Sequence, residues 1–267
     1  MNERKVWRVA GASAIGTAHI DQRTECQDRL LWRAIDTGEG ATLVAAIADG
    51  AGSTTDGQRG AEIACRTFVE AVEEFLSAGD ASLRSLNRDF GAHFIGYFQS
   101  RVKALADRER KALRDYASTL VAAVAGASGA VFYQIGDGGA VYSASGAKQS
   151  YAFGIEPIEA EYVNVTDFAT DDEAAERIRF RFVEGPVEDL ILFSDGVASV
   201  AVDYQQNRPH EPFLMPMIAP LRRGAAAAGL DEKLASFLAS PKINEKTDDD
   251  KTIILASCAG ARQAALG

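Results

Sequence analysis

The sequence predicts an α/β fold in which antiparallel sheets are covered by pairs of helices, and three observations carry that expectation. Short apolar or β-branched runs, many of them alternating with period two, recur along the chain. Two long stretches switch to apolar residues spaced three or four apart. The helical stretches follow one another in a pair instead of alternating singly with strands, which argues against a doubly wound parallel sheet. At 267 residues the chain is long enough for a substantial core and is read as one domain, 1–267. It lacks the self-similarity at roughly 20 to 50 residues that a solenoid or propeller requires.

Residues 6–12, 29–35 and 41–48 are strand-like runs separated by Gly, Asp and Thr. From Gln58 the period changes: Ala61, Ala64, Phe68, Val72 and Phe75 form one helical face, with Gly79 as the stop. Leu83, Leu86, Phe90, Phe94, Phe98, Val102 and Leu105 continue as a second helix, and Arg108, Arg110, Lys111 and Arg114 stand toward its end, where cations suit the helix dipole. The short link predicts that the two helices lie antiparallel on one sheet face. Strand character returns in residues 118–125, 130–135 and 140–144, a meander with glycine corners. Ile178, Phe180 and Phe182 alternate with Arg177, Arg179 and Arg181, the mark of a strand with one wet face. Residues 189–193 (DLILF) and 252–256 (TIILA) are the most apolar strands and are expected at the centre of a sheet. A further helical stretch covers residues 212–240, and residues 244–251 read as a charged loop.

The balance of 28 basic against 38 acidic side chains, a formal charge of -10, speaks against a surface that neutralises nucleic acid phosphates or anionic lipid. Three cysteines without CxxC spacing suit a reducing compartment. Three unpaired histidines argue against a zinc site of the usual kind. The N-terminal residues have neither the basic flank nor the apolar core of a secretory signal, and no apolar run approaches a membrane span. The expectation is a cytoplasmic protein with no nucleic-acid or membrane partner.

The chemistry is expected where acids follow very apolar strands, because a carboxylate there is costly unless a cation or hydrogen bonds compensate it. Asp49 lies so in VAAIADGAGS, Asp137 in YQIGDGG and Asp195 in LILFSDG, while Asp248, Asp249 and Asp250 stand just before TIILA. One Asp-Gly pair alone reads as a turn. Three of them after apolar strands point to an oxygen-rich site for a hard divalent ion, Mg²⁺ or Mn²⁺.

The ordered motifs GTAH...CQD, ADGAGS, STLVAAV, IGDGGAVY, LFSDGV and DDDKTIIL together resemble the metal-dependent protein phosphatases of the 2C type, in a bacterial subgroup whose final motif reads DD(K/R)T. The segment EYVNVTDFAT resembles the same subgroup, and the matches run from about Gly16 to Leu255. The resemblance implies a four-layer α-β-β-α sandwich of two mostly antiparallel sheets, with two ions of Mn²⁺ or Mg²⁺ held between them. Asp49 would bridge both ions and the Gly50 carbonyl would bind one. Asp195 and Asp249 would hold the other, Asp249 being taken over Asp250 because the family's ligand stands three residues before the threonine, here Thr252. Asp28 would orient the attacking water, and Asp137 would sit at a weak third ion. The implied reaction is hydrolysis of phosphoserine or phosphothreonine in a phosphoprotein by a metal-activated water, with no covalent enzyme intermediate and with a Ser/Thr protein kinase as the opposing partner.

A cation that orients the phosphate is also wanted. Arg23 lies five residues before Asp28 and His19 three after Gly16, and each spacing matches the family's arginine. Arg23 is favoured because a guanidinium binds phosphate bidentately and keeps its charge. Three departures stand out: Gln27 where many relatives have Glu, Ala51 where some carry a histidine, and Ser199 in place of an acid near the third ion. Ser199 argues against a third ion, and the three together define an alternative, a catalytically weak pseudophosphatase that acts as a binding or regulatory module.

Overall fold

The computed structural model describes residues 5–37, 40–78, 82–144, 146, 150–157, 166–224 and 229–260. In chain order these form β1 (Lys5–Ala14), α1 (Thr17–Gln22), β2 (Arg29–Thr37), β3 (Gly40–Ala48), α2 (Gly57–Ser77), α3 (Arg88–Glu109), β4 (Leu120–Ala125), β5 (Gly129–Ile135), β6 (Gly139–Ala144) and β7 (Ala152–Phe153). There follow α4 (Ala174–Arg177), β8 (Arg179–Glu184), β9 (Val187–Phe193), α5 (Asp195–Ala201), β10 (Val202–Asp203), β11 (Arg208–Pro209), α6 (Glu211–Arg222), α7 (Leu230–Leu238), α8 (Pro241–Asn244) and β12 (Lys251–Gly260). Two antiparallel sheets result, ordered β1-β12-β9-β6-β7 and β2-β3-β4-β5-β8. The two most apolar strands, β9 and β12, are neighbours inside the first sheet, as their composition predicted.

Strand periodicity sorts the side chains into three apolar layers. In β3, Leu43, Ala45 and Ile47 face the first sheet, whereas Val44, Ala46 and Ala48 pack with Phe68, Val72, Phe94 and Phe98 of α2 and α3. In β12, Ile254 and Ala256 enter the inter-sheet layer, whereas Ile253 and Leu255 pack with Leu214, Ile218 and Leu234 of α6 and α7. This is the expected α-β-β-α order. Among the described residues no helix is long and apolar enough to cross a membrane.

Several predicted boundaries move. The second helix begins at Arg88 and not at Leu83, because Asn87 takes the N-cap position and its side chain accepts from Phe90 N at 3.0 Å. Leu83 and Leu86 are still buried, but in a short 3₁₀ turn and at its end. The stretch 212–240 splits into α6 and α7, separated where Gly224 and Gly229 adopt positive φ of 81° and 79°. Arg177 ends α4 and does not begin β8. The charged loop is shorter than predicted, since α8 holds Asn244 and β12 starts at Lys251. Gly79 and residues 161–165 of EYVNVTDFAT lie outside the described residues.

Antiparallel pairing sets the acids at one end of the sandwich. Arg29 pairs with Ala48, so Asp28 and Asp49 flank the same rung of β2 and β3. Phe193 pairs with both Ile253 and Gly139, which places the exit of β9, the entrance of β12 and the β5–β6 turn side by side.

Candidate active site

Asp49 leaves β3 in a loop that is tied down on both sides. Its N–H donates to Thr119 Oγ1 at 3.1 Å, its carbonyl accepts from Thr119 N at 2.8 Å, and Ala51 N donates to Ala117 O at 2.9 Å. Asp28 is buried, with 1% exposure. Its Oδ2 accepts from Ser194 Oγ at 2.8 Å, and Ser194 Oγ in turn accepts from Thr252 N at 2.9 Å. This chain ties the entrance of β2 to the exit of β9 and the start of β12. Asp28 Oδ1 is buried without a hydrogen-bond partner.

Asp195 opens α5, and its Oδ1 accepts from Gly196 N at 2.6 Å. Asp249 Oδ1 accepts from Asp250 N at 2.8 Å. Asp137 sits in the β5–β6 turn, where its Oδ2 accepts from Thr166 Oγ1 at 2.9 Å. Two glycines let these loops close on one another. A Cβ on Gly196 would stand 3.0 Å from Asp250 C and nearer still to Asp250 O, and one on Gly16 would run into the backbone of Asp248 and Asp249.

The electrostatics record how close and how dry the acids are. Burial pushes Asp28 up to about 6, with help from the charge of Asp250. Burial, then Asp249 and Asp137, push Asp195 up to about 8. Asp49 is raised well above the usual carboxylate range by burial and by the charges of Asp28, Asp195 and Asp249. Burial also raises Asp249, against the opposing effects of the Asp250 N–H and then of His19. The charges of acids from the exits or entrances of β2, β3, β5, β9 and β12 therefore converge on Asp49 and Asp195 in a single electrostatic neighbourhood.

Asp250 is turned elsewhere. It is 1% exposed, and its Oδ1 accepts from Gly16 N and its Oδ2 from Gln27 N, both at 2.6 Å. His19 Nδ1 stands 2.9 Å from the same Oδ2, at ion-pair distance but outside hydrogen-bond geometry. Arg23 occupies the left-handed C-cap of α1, with φ of 57°, and its side chain is exposed.

A model of the protein phosphatase 2C family matches residues 15–239. The chain is 32% identical over 257 residues to serine/threonine-protein phosphatase 3 of Escherichia coli K12, covering 94% of this chain and 98% of that one. The chain belongs to the protein phosphatase 2C family. Solved structures of that fold superpose on it. The Ser/Thr phosphatase Stp1 from Staphylococcus aureus does so with TM-score 0.60 and 14% identity, covering 96% of each chain. The catalytic domain of the Ser/Thr protein phosphatase PstP, solved with 2 manganese ions, gives TM-score 0.57 and 17% identity, covering 96% of this chain and 99% of that one.

The sequence alone did not mark Ser194, Thr252 or Gly196 as parts of this 2C-family site, nor Lys251, which is fully buried and donates to Asn244 Oδ1 at 3.0 Å and Asp249 O at 2.9 Å. Their signal was adjacency: each sits within two residues of an acid in the SDG or DDDKT motif. Among the described residues no group of three or more His, Cys, Asp or Glu side chains is gathered closely enough to hold a metal ion. The donor chemistry still fits a hard divalent cation, since the acids offer only oxygen, and burial and neighbouring carboxylates, which raise Asp49 and Asp195, are what a cation there would offset.

Proposed function

We propose that the acidic end of the sandwich is a phosphatase active site that hydrolyses phosphoserine and phosphothreonine in proteins, with Asp49, Asp195, Asp249 and the Gly50 carbonyl holding a pair of Mn²⁺ or Mg²⁺ ions. The carrying observation is that burial raises Asp49, Asp195 and Asp249 alike, and that the charges of Asp195 and Asp249 reach Asp49 and that of Asp249 reaches Asp195. When bound, the ions supply positive charge that acidifies water and neutralises phosphoryl oxygens. Asp28 Oδ1, the buried oxygen without a protein partner, takes up a hydrogen bond from the attacking water, while Ser194 Oγ fixes its other oxygen. In-line attack forms a bond from the water oxygen to phosphorus as the bond to the serine or threonine oxygen breaks; the water gives up a proton to solvent and the leaving oxygen takes one from it. Asp137, already engaged by Thr166, would border a third, weaker ion. The opposing partner is a Ser/Thr protein kinase that supplies the phosphoprotein.

The test is turnover of p-nitrophenyl phosphate and a phosphothreonine peptide with Mn²⁺ or Mg²⁺. Activity is expected to vanish in EDTA, return with the metal, and fall by at least about 100-fold in Asp49→Asn. Metal-independent turnover, or full activity in that variant, refutes the reading.

A further inference from the structure

The two sheets end in β7 and β8, and a cavity of about 260 Å³ opens beside these terminal strands. Its wall is largely apolar. Ile135 and Phe193 come from the ends of β5 and β9, Phe153 and Ile155 from β7 and the residues after it, and Ala198 and Val202 from α5 and β10. Apolar wall left in contact with water favours an apolar occupant.

The cavity begins where the acidic site ends. Asp137 lines it, and the charge of Asp137 is among those that raise Asp195. Tyr204, in the turn between β10 and β11, lines it too and is 57% exposed. Partial burial, then the charges of Asp137 and Asp195, raise its phenol, so the ring stands beside the same acids.

The charged groups of the wall do not prepare it for a second anion. Arg177 donates to Asp167 Oδ1 at 2.6 Å and pairs with Glu173, and Arg179 donates to the Glu156 carbonyl. Arg181 ties the same edge by donating to Phe153 O at 3.1 Å. Two arginines on the wall face two aspartates, Asp137 and Asp167, and the charges balance. The volume lies below the roughly 300–1,000 Å³ of pockets that enclose a whole small ligand, and it suits one large side chain. An extended peptide advances about 3.3–3.6 Å per residue, so a cavity adjoining the acids faces the residues one or two places from the phosphorylated one.

Resting on the phosphatase reading above, we propose that this cavity is a specificity site for the phosphoprotein: it takes a large apolar side chain, leucine or phenylalanine, within two residues of the phosphorylated serine or threonine, and Tyr204 covers the peptide at its mouth. The substrate class narrows to phosphosites with an apolar neighbour. Selectivity comes from desolvation, since wall and side chain leave water together.

The test uses the Mn²⁺-loaded enzyme and phosphothreonine peptides of alanine and glycine in which each of the two positions on either side carries Ala, Leu, Phe or Asp in turn. p-Nitrophenyl phosphate, which has no neighbouring residue, is the reference substrate. At one position Leu or Phe is expected to raise kcat/KM by about 10-fold or more over Ala, and Asp is expected to give no gain. Ile155→Trp, which fills the cavity, is expected to bring the Leu and Phe peptides down to the Ala peptide and to leave p-nitrophenyl phosphate kinetics and Mn²⁺ affinity unchanged. If that variant does not fold, Tyr204→Ala decides, with a smaller loss confined to the same peptides. Equal turnover of the Ala, Leu and Phe peptides at every position overturns the proposal. So does a preference for Asp, which would assign the cavity to an anion, and so does an equal loss on p-nitrophenyl phosphate in the folded variants. Absence of metal-dependent turnover of p-nitrophenyl phosphate refutes the phosphatase reading itself, whereas an active enzyme indifferent to the neighbouring side chain refutes this inference and leaves that reading standing.

Discussion

Gly196→Ala tests whether the acidic loops are held by backbone contact. In an exposed helix the change would stabilise by up to about 1 kcal/mol. Gly196 lies in α5, but its Cβ would stand 3.0 Å from Asp250 C, 3.4 Å from Asp249 Cβ and closest of all to Asp250 O. The obstacle is backbone, which cannot rotate aside as a side chain would. Overpacking of this kind costs about 1–3 kcal/mol, so the clash outweighs the propensity gain, and a chain of this size should melt roughly 2–10 °C lower. The activity effect should be larger. The loop that yields carries Asp249, and a displacement of about 1 Å at a reacting centre costs on the order of 100-fold in rate. The assay pairs thermal melting with Mn²⁺ calorimetry and p-nitrophenyl phosphate kinetics, using Gly96→Ala as control, since a Cβ there meets nothing within 4 Å. Wild-type Mn²⁺ affinity and turnover in Gly196→Ala would show that the DDDKT backbone does not depend on this contact and would sink the reasoning.

Two further outcomes follow from the same electrostatics. Asp28 and Asp195 are raised to about 6 and about 8, and Asp49 and Asp249 are raised as well. Protonated acids therefore favour the metal-free folded state, and their contribution is complete below about pH 4 and lost as pH rises toward 8. Metal-free protein should melt lower at pH 8 than at pH 6, and Mn²⁺ should reverse the trend; a metal-free melting temperature that climbs over this window would contradict the assignment. Lys251→Met keeps the length of the side chain but strips donors from Asn244 Oδ1 and Asp249 O. It should cost about 1–3 kcal/mol in urea unfolding, and a variant as stable as the parent would show that the buried ammonium contributes nothing net.

Much of the fold was legible because periodicity reports burial directly. Residues 43–48 and 253–256 are apolar at every position, as strands covered on both faces must be, and Leu43 and Val44 do enter opposite layers. The start of α3 was less legible. Leu83 and Leu86 satisfy helical spacing, yet the Asn87 cap restarts the chain after them, and local capping chemistry overrode a pattern that only burial required.

By itself the sequence determined that acids would stand at the ends of apolar strands, since Asp-Gly after a β-run both stops the strand and leaves a carboxylate at its tip. It also determined the three apolar layers, because a period of two has only two faces to fill. Only the tertiary structure decided which oxygens look at one another. Asp249 and Asp250 are adjacent in the chain, but Asp249 is within the electrostatic reach of Asp49 and Asp195, while Asp250 binds Gly16 N and Gln27 N. Successive side chains entering a strand point to opposite sides, and which side is the site depends on where the other sheet lies. That relation joins residues more than 200 positions apart, such as Gly16 and Asp250, and no local spacing encodes it.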